Sequence, residues 1–156
     1  MPERTGGLPE LVVEDSPDAA DVALLEERVA AAAIAAAGLG DEQEFAIFAR
    51  DDDGRIVAGI SAIVWGGYCE LQAMWVKESL RSRGLAFALI ADAEAEARRR
   101  GCGLVVFHAY DVLTRGLYER LGYETVGVIE NCPAGSAARW YRKLLRARCK
   151  ITPEAP

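Results

Sequence analysis

The 156-residue chain has one histidine and four cysteines, and neither type is arranged to hold a metal. Cys69, Cys102, Cys132 and Cys149 are scattered with no C-x-x-C pair, and a single imidazole cannot complete a Cys/His zinc site. Free thiols and no metal are expected. No apolar run reaches the length of a membrane span, and the opening MPERTGGLPE has no hydrophobic signal core, so a cytoplasmic chain with no membrane partner is expected. Positive charge is scarce too. With 18 Lys and Arg against 24 Asp and Glu, the formal charge is −6, the wrong sign for neutralising nucleic-acid phosphates, so no nucleic-acid partner is expected. The same acidity fits a cationic substrate drawn toward a cleft. There is no internal repeat and no low-complexity linker. What remains, 51% apolar and 27% charged residues, is the balance of a soluble globular protein. The length holds one domain and one core over residues 1–156, with loose tails at 1–10 and 147–156.

Residues 11–14 (LVVE) read as a first short strand. Asp15, Pro17 and Asp18 resemble a helix start, and residues 18–37 follow as a helix that stops at Gly38, with Val22, Leu25, Val29 and Ala33 on one stripe. Three antiparallel strands come next, at 44–50, 55–65 and 68–76. They are joined by Asp51-Asp-Asp-Gly54 and by Gly66-Gly67. After a helix over 85–100, stopped by Gly101, a short buried strand runs from 104 to 109. Strand, helix, strand is a crossover, so strands 68–76 and 104–109 are expected side by side and parallel. Asp111 is placed to cap a helix over 113–121 that stops at Gly122, and two last strands cover 123–130 and 137–145. The sum is an α/β fold of seven strands and three to four helices, antiparallel strands first.

The most informative stretch is MWVKESLRSRGLAFALIADAEAEARRRG, residues 74–101, where a β-rich segment gives way to an Ala, Leu, Glu and Arg-rich helix. Between them Arg81, Ser82, Arg83, Gly84, Leu85 and Ala86 present successive backbone N–H groups at a helix start. Such a start leaves about four amides without intrahelical partners and adds the positive end of the helix dipole, which suits a diphosphate. Gly84 permits close backbone approach, and Arg81 and Arg83 add permanent charge. The plainer alternative is an ordinary strand-to-helix turn with solvated arginines.

The spacing Arg81-x-x-Gly84-x-Ala86 resembles the Q/R-x-x-G-x-G/A acyl-CoA signature of the GNAT N-acetyltransferases, and LYERLGYE (117–124) resembles that family's Y-E-x-x-G-[FY] segment. The likeness extends from about Leu11 to Leu145, and both motifs stand in the order and local context they require. One departure is Glu78, where many relatives carry Pro.

This resemblance implies a GNAT fold: a mixed, mostly antiparallel seven-stranded sheet with a splayed parallel pair, here strands 68–76 and 104–109, and three to four flanking helices. It implies an acyl-CoA-dependent N-acetyltransferase using acetyl-CoA as co-substrate, with no metal. The expected reaction is direct transfer in a ternary complex to a primary amine of a small molecule. The alternatives are a protein or peptide N-acetyltransferase and a non-catalytic acyl-CoA-binding module. A homodimer is an expectation at the level of the family.

The implied cofactor-binding residues are Arg81, Ser82, Arg83, Gly84, Leu85 and Ala86 at the diphosphate, and Met74 and Val76 through their backbone. The Met74 amide would hold the thioester carbonyl as an oxyanion donor. Asp111 stands where many relatives have an Asn that binds the pantetheine or phosphate arm. Tyr118 points toward the sulfur in the family and is the implied proton donor to the leaving thiolate; a packing tyrosine is the structural alternative. Glu70, four residues before Met74, is the implied base, expected by strand alternation to share a face with Gln72 and Met74; a solvent-facing Glu is its alternative. His108 is a further base candidate of suitable type, and equally a hydrogen-bonded structural residue. Trp75, one residue out of phase with Met74, is expected in the core.

Overall fold

The computed structural model describes residues 9–114 and 116–145. Most of both expected tails, and Cys149, lie outside them. The chain divides into two compact units, residues 1–39 and 40–156.

The first unit contains α1 (Ala19–Ala37). The Asp18 carboxylate accepts from the Ala20 N–H at 2.7 Å, and Gly38, left-handed at φ 65°, donates its N–H to the Ile34 carbonyl at 3.0 Å. Residues 11–14 form no strand. Their β-forming side chains have no neighbouring strand within this unit, and an isolated strand is not stable.

The second unit is built on a six-stranded sheet, not the expected seven. Its strands are β1 (Gln43–Arg50), β2 (Ile56–Trp65), β3 (Tyr68–Val76), β4 (Leu104–Tyr110), β5 (Glu124–Glu130) and β6 (Ala137–Leu144), in the order β1-β2-β3-β4-β6-β5. Every neighbouring pair is antiparallel except β3 with β4. The helix α2 (Leu85–Arg99) links these two and buries Leu89, Ile90, Ala93 and Ala97 in one core with Ala58, Ile60, Ala62 and Val64 of β2. The one buried charge among the described residues, Glu94, accepts two bonds from Lys143 Nζ at 2.8 and 2.9 Å and one from the Tyr123 hydroxyl at 2.9 Å. These bonds fasten α2 to β6 from inside.

The single helix expected over 113–121 is broken into α3 (Asp111–Thr114) and α4 (Leu117–Arg120). Gly116 sits at φ 75°, and a left-handed residue cannot continue a right-handed helix. Asp111 is therefore the first residue of α3 and not the residue preceding a helix over 113–121; its carboxylate accepts from Arg139 Nε at 2.7 Å.

A β-bulge in β3 overturns two expectations. Ser61 pairs with Ala73 and Ala62 with Leu71, leaving Gln72 as an extra residue. Before the bulge Cys69 and Leu71 lie opposite the core-facing Val64 and Ala62; after it, Met74 and Val76 lie opposite the core-facing Ile60 and Ala58. The alternation has slipped by one. Glu70, paired with Ile63, is therefore on the face opposite Met74, and Trp75 is 51% exposed and not in the core.

Candidate active site

The expected gap lies between β3 and β4. Their parallel pairing consists of three positions, Tyr68 with Leu104, Cys69 with Val105 and Glu70 with Val106, and then ends. Beyond it β4 continues, with Phe107 to Tyr110 paired only to β6, while β3 continues against β2 alone. The strands have parted.

The phase of the β2/β3 ladder decides what β3 offers to the gap. Lys77 N–H donates to the Val57 carbonyl at 2.9 Å, so in the alternation of an antiparallel pair the next position, Val76 with Ala58, is non-bonded, as is Met74 with Ile60. The N–H and C=O groups of Met74 and Val76 therefore point away from β2, toward the open side. The Val76 carbonyl accepts from Arg81 Nε at 3.1 Å.

The gap is lined by Leu71, Gln72, Ala73 and Met74 of β3, Phe107 and His108 of β4, Ile60, Ile90 and Tyr118. Tyr118 reaches it from α4 and is only 7% exposed, its ring held against Phe107 at 4.4 Å and Tyr141 at 5.1 Å. Its hydroxyl makes no hydrogen bond with any described residue, while the neighbouring Tyr141 hydroxyl donates to Glu119 at 3.2 Å. Burial pushes the Tyr118 phenol above its ordinary value, so it stays protonated through neutrality. His108 is exposed on the other sheet face, stacked on Trp140 at 5.1 Å and edge-on to Tyr110 at 5.9 Å. Glu70 is not among the lining residues.

Beside the gap a cavity of about 260 Å³ opens at the start of α2. It is lined by Val76, Leu80, Arg81, Ser82, Gly84, Leu85, Ala86, Phe87, Leu117 and Arg120. Ser82 at φ 62° and Gly84 at φ 79° are both left-handed, and the turn they make delivers the chain into the helix. The amides of residues 82–87 donate to no acceptor among the described residues; the first helical bond is Ala88 N–H to the Gly84 carbonyl at 3.0 Å. Most of the signature expected at this mouth is thus together on one wall, but Arg83 does not line it. Arg120 of α4 does, and sequence reasoning missed it. Its signal was present in LYERLGYE, two residues past Tyr118, but only the docking of α4 turns that residue to the mouth. The thiols Cys69, Cys102 and Cys132 are unpaired and none lines gap or mouth.

No helix among the described residues is long and apolar enough to cross a membrane. Comparison with known proteins agrees with the geometry. An acetyltransferase of Agrobacterium fabrum is 29% identical over 132 residues, covering 85% of this chain and 96% of the relative. Blasticidin-S acetyltransferase of Streptomyces morookaense is 32% identical over 92 residues, 58% of this chain and 68% of that protein. A crystal structure from Agrobacterium tumefaciens, assigned as an acetyltransferase, superposes with a TM-score of 0.77 at 27% identity, over 87% of this chain and 99% of that one. Residues 10–123, which contain the mouth, the parted strands and Tyr118, match the model of the Acetyltransferase (GNAT) family, and the chain is a GNAT acetyltransferase.

Proposed function

We propose that this enzyme moves an acetyl group from acetyl-CoA to a primary amine of a small molecule by direct transfer while both are bound. The observation that carries the reading is the Tyr118 hydroxyl, on a side chain 7% exposed and without a partner among the described residues, at a gap between parted strands. Among the described residues no buried side-chain oxygen lacks a hydrogen bond, so the Tyr118 hydroxyl, which has none, is open to the gap and available to a ligand there. The fit to the co-substrate rests on complementary groups without partners among the described residues: amides 82–87 for a diphosphate, and the gap-facing edge of Met74 with the Val76 N–H for an amide-bearing arm.

In this reading the thioester supplies an activated acyl group, and the chain supplies position and protons. The amides from Ser82 through Leu85 and Ala86 hold the diphosphate with Arg81, Gly84 lets them come close, and Arg83 adds charge from outside the cavity. The Met74 N–H is the donor toward the thioester carbonyl. Tyr118 gives its proton to the departing sulfur. Glu70 is away from the gap lining. His108, although also on the face opposite Met74, lines the gap and takes over as the candidate acceptor of the amine proton. Asp111, held by Arg139, steadies α3. A small-molecule acceptor is favoured by the relative named for blasticidin S.

The test is a melting curve with and without millimolar acetyl-CoA, followed by thiol release across a panel of primary amines. A ligand of the native state raises the melting temperature by mass action, by about 2.7 kcal/mol in stability at a hundredfold excess over Kd. An unchanged curve removes the co-substrate assignment. A raised curve with no thiol release from any amine identifies a binding module without turnover.

A further inference from the structure

His108 makes no hydrogen bond or ion pair with any described residue. An imidazole that works as a base is ordinarily aimed by the bond its second nitrogen donates to a carboxylate or a backbone carbonyl. Here two aromatic rings take that place. Trp140 lies along the imidazole with centroids 5.1 Å apart and planes inclined at 21°, and Tyr110 meets it edge-on at 5.9 Å and 85°. The three side chains share one sheet face because Trp140 is the register partner of His108 across β4 and β6, and Tyr110 is two residues further along β4. Nothing on the far side draws the indole away. The partner of Trp140 on β5 is Gly127, where an added Cβ would meet only the Trp140 Cβ, at 3.9 Å, and no ring atom within 4 Å. The indole is thus turned from β5 toward His108, and His108 lines the gap.

We infer that Trp140 is a positioning residue for the proton transfer, fixing the plane of the His108 ring at the gap and stabilising the imidazolium that forms there. This rests on the acetyl-transfer reading above, with His108 as acceptor of the amine proton. In that step the amine lone pair attacks the thioester carbonyl carbon, an N–H proton passes to a ring nitrogen of His108, the C–S bond breaks, and the sulfur takes the Tyr118 proton. Imidazolium and phenolate then exchange their protons with water. An exposed imidazole without partners would spread over several rotamers, and the stack keeps it in the one that meets the gap. The new cation also lies over an indole, the aromatic ring best suited to a cation, inside the ~6 Å range of a cation–π contact. That face supplies the compensation that a carboxylate supplies to a hydrogen-bonded histidine.

Thiol release at saturating acetyl-CoA and amine, with an amine the wild type accepts, tests the inference in Trp140→Leu, Trp140→Phe, His108→Gln and the double variant of Trp140→Leu with His108→Gln. Expected is a roughly tenfold loss of kcat in Trp140→Leu with calorimetric affinity for CoA unchanged, and recovery to within about threefold of wild type in Trp140→Phe, which keeps a ring to stack on. Adding Trp140→Leu to His108→Gln costs nothing further, because the indole acts through the imidazole. Wild-type turnover in Trp140→Leu overturns the inference. So does an equal loss in the His108→Gln background, which makes Trp140 a contact of the acceptor or a support of the sheet. A loss that Trp140→Phe does not recover, or one accompanied by weakened CoA binding, overturns it as well. Wild-type turnover in His108→Gln removes the imidazole from the step and Trp140 with it. If no amine releases thiol from wild type, the failure belongs to the acetyl-transfer reading.

Discussion

Replacing Tyr118 with Phe removes one oxygen atom and nothing else. Because that oxygen bonds to no described residue, no protein partner is orphaned, and the ring keeps its contacts with Phe107 at 4.4 Å and Tyr141 at 5.1 Å. Loss of a hydroxyl that is open to the gap and bonds to no described residue leaves stability within about 1 kcal/mol of wild type. The catalytic consequence is much larger. A positioned general acid contributes about 10²- to 10⁴-fold, which is about 2.7 to 5.5 kcal/mol of barrier at about 1.36 kcal/mol per decade. Expected, then, is a fall in kcat of at least about a hundredfold, with melting temperature and CoA affinity little changed. Continuous thiol release with an accepted amine measures the first; a thermal melt and calorimetry measure the others. Turnover within threefold of wild type in a folded, CoA-binding Tyr118→Phe would remove this residue from the chemistry and leave it a packing aromatic.

Gly84→Ala and Gly54→Ala form a matched pair, since both glycines have φ 79° and an added Cβ meets nothing within 4 Å at either. Each costs roughly 1–2 kcal/mol of backbone strain; only Gly84→Ala, which disturbs the amides of the mouth, is expected to weaken CoA binding, by several-fold in calorimetry. Lys143→Met removes both bonds that Lys143 makes to the buried Glu94, together with its bond to the Leu121 carbonyl at 2.8 Å. About 3 kcal/mol of stability should be lost in a denaturant titration, and Glu94→Gln in the same chain should restore part of it. Burial raises the phenols of Tyr118, Tyr123 and Tyr141, the last pushed up to about 12 by burial and by Glu119. A phenol in the unfolded chain titrates near ~10, so this contribution is complete below that pH and is lost as pH rises toward the folded value. The melting temperature is expected to fall steeply above pH ~10, and a flat profile to pH ~11 would contradict the burial of these rings.

The elements whose formation depends on neighbouring residues were legible in the chain itself. The Asp18 cap and Gly38 stop bound α1, the Asp51 to Gly54 turn joins β1 to β2, and the strand-to-helix passage through Gly84 sets the amides of the mouth. These are short-range effects of dihedral preference and capping, so they survive without knowledge of partners. Topology predicted only that β3 and β4 lie side by side and parallel; their parting was what the family resemblance implied. The bulge was different. Nothing in YCELQAMWV marks Gln72 as the extra residue, because a bulge is a property of two strands, decided by how β2 and β3 match their core-facing side chains. That slip alone turned Glu70 away from Met74 and put Trp75 at the surface.

Local sequence therefore determined the turn at the mouth and the ends of α1, while Tyr118 was singled out by the family resemblance. Tertiary packing decided which face each β3 side chain takes, that the helix after β4 breaks at Gly116, and that Arg120, not Arg83, lines the cavity at the start of α2. The division has one physical reason: a backbone turn is specified within a few residues, whereas the direction of a side chain depends on register and docking set by segments far away in the chain.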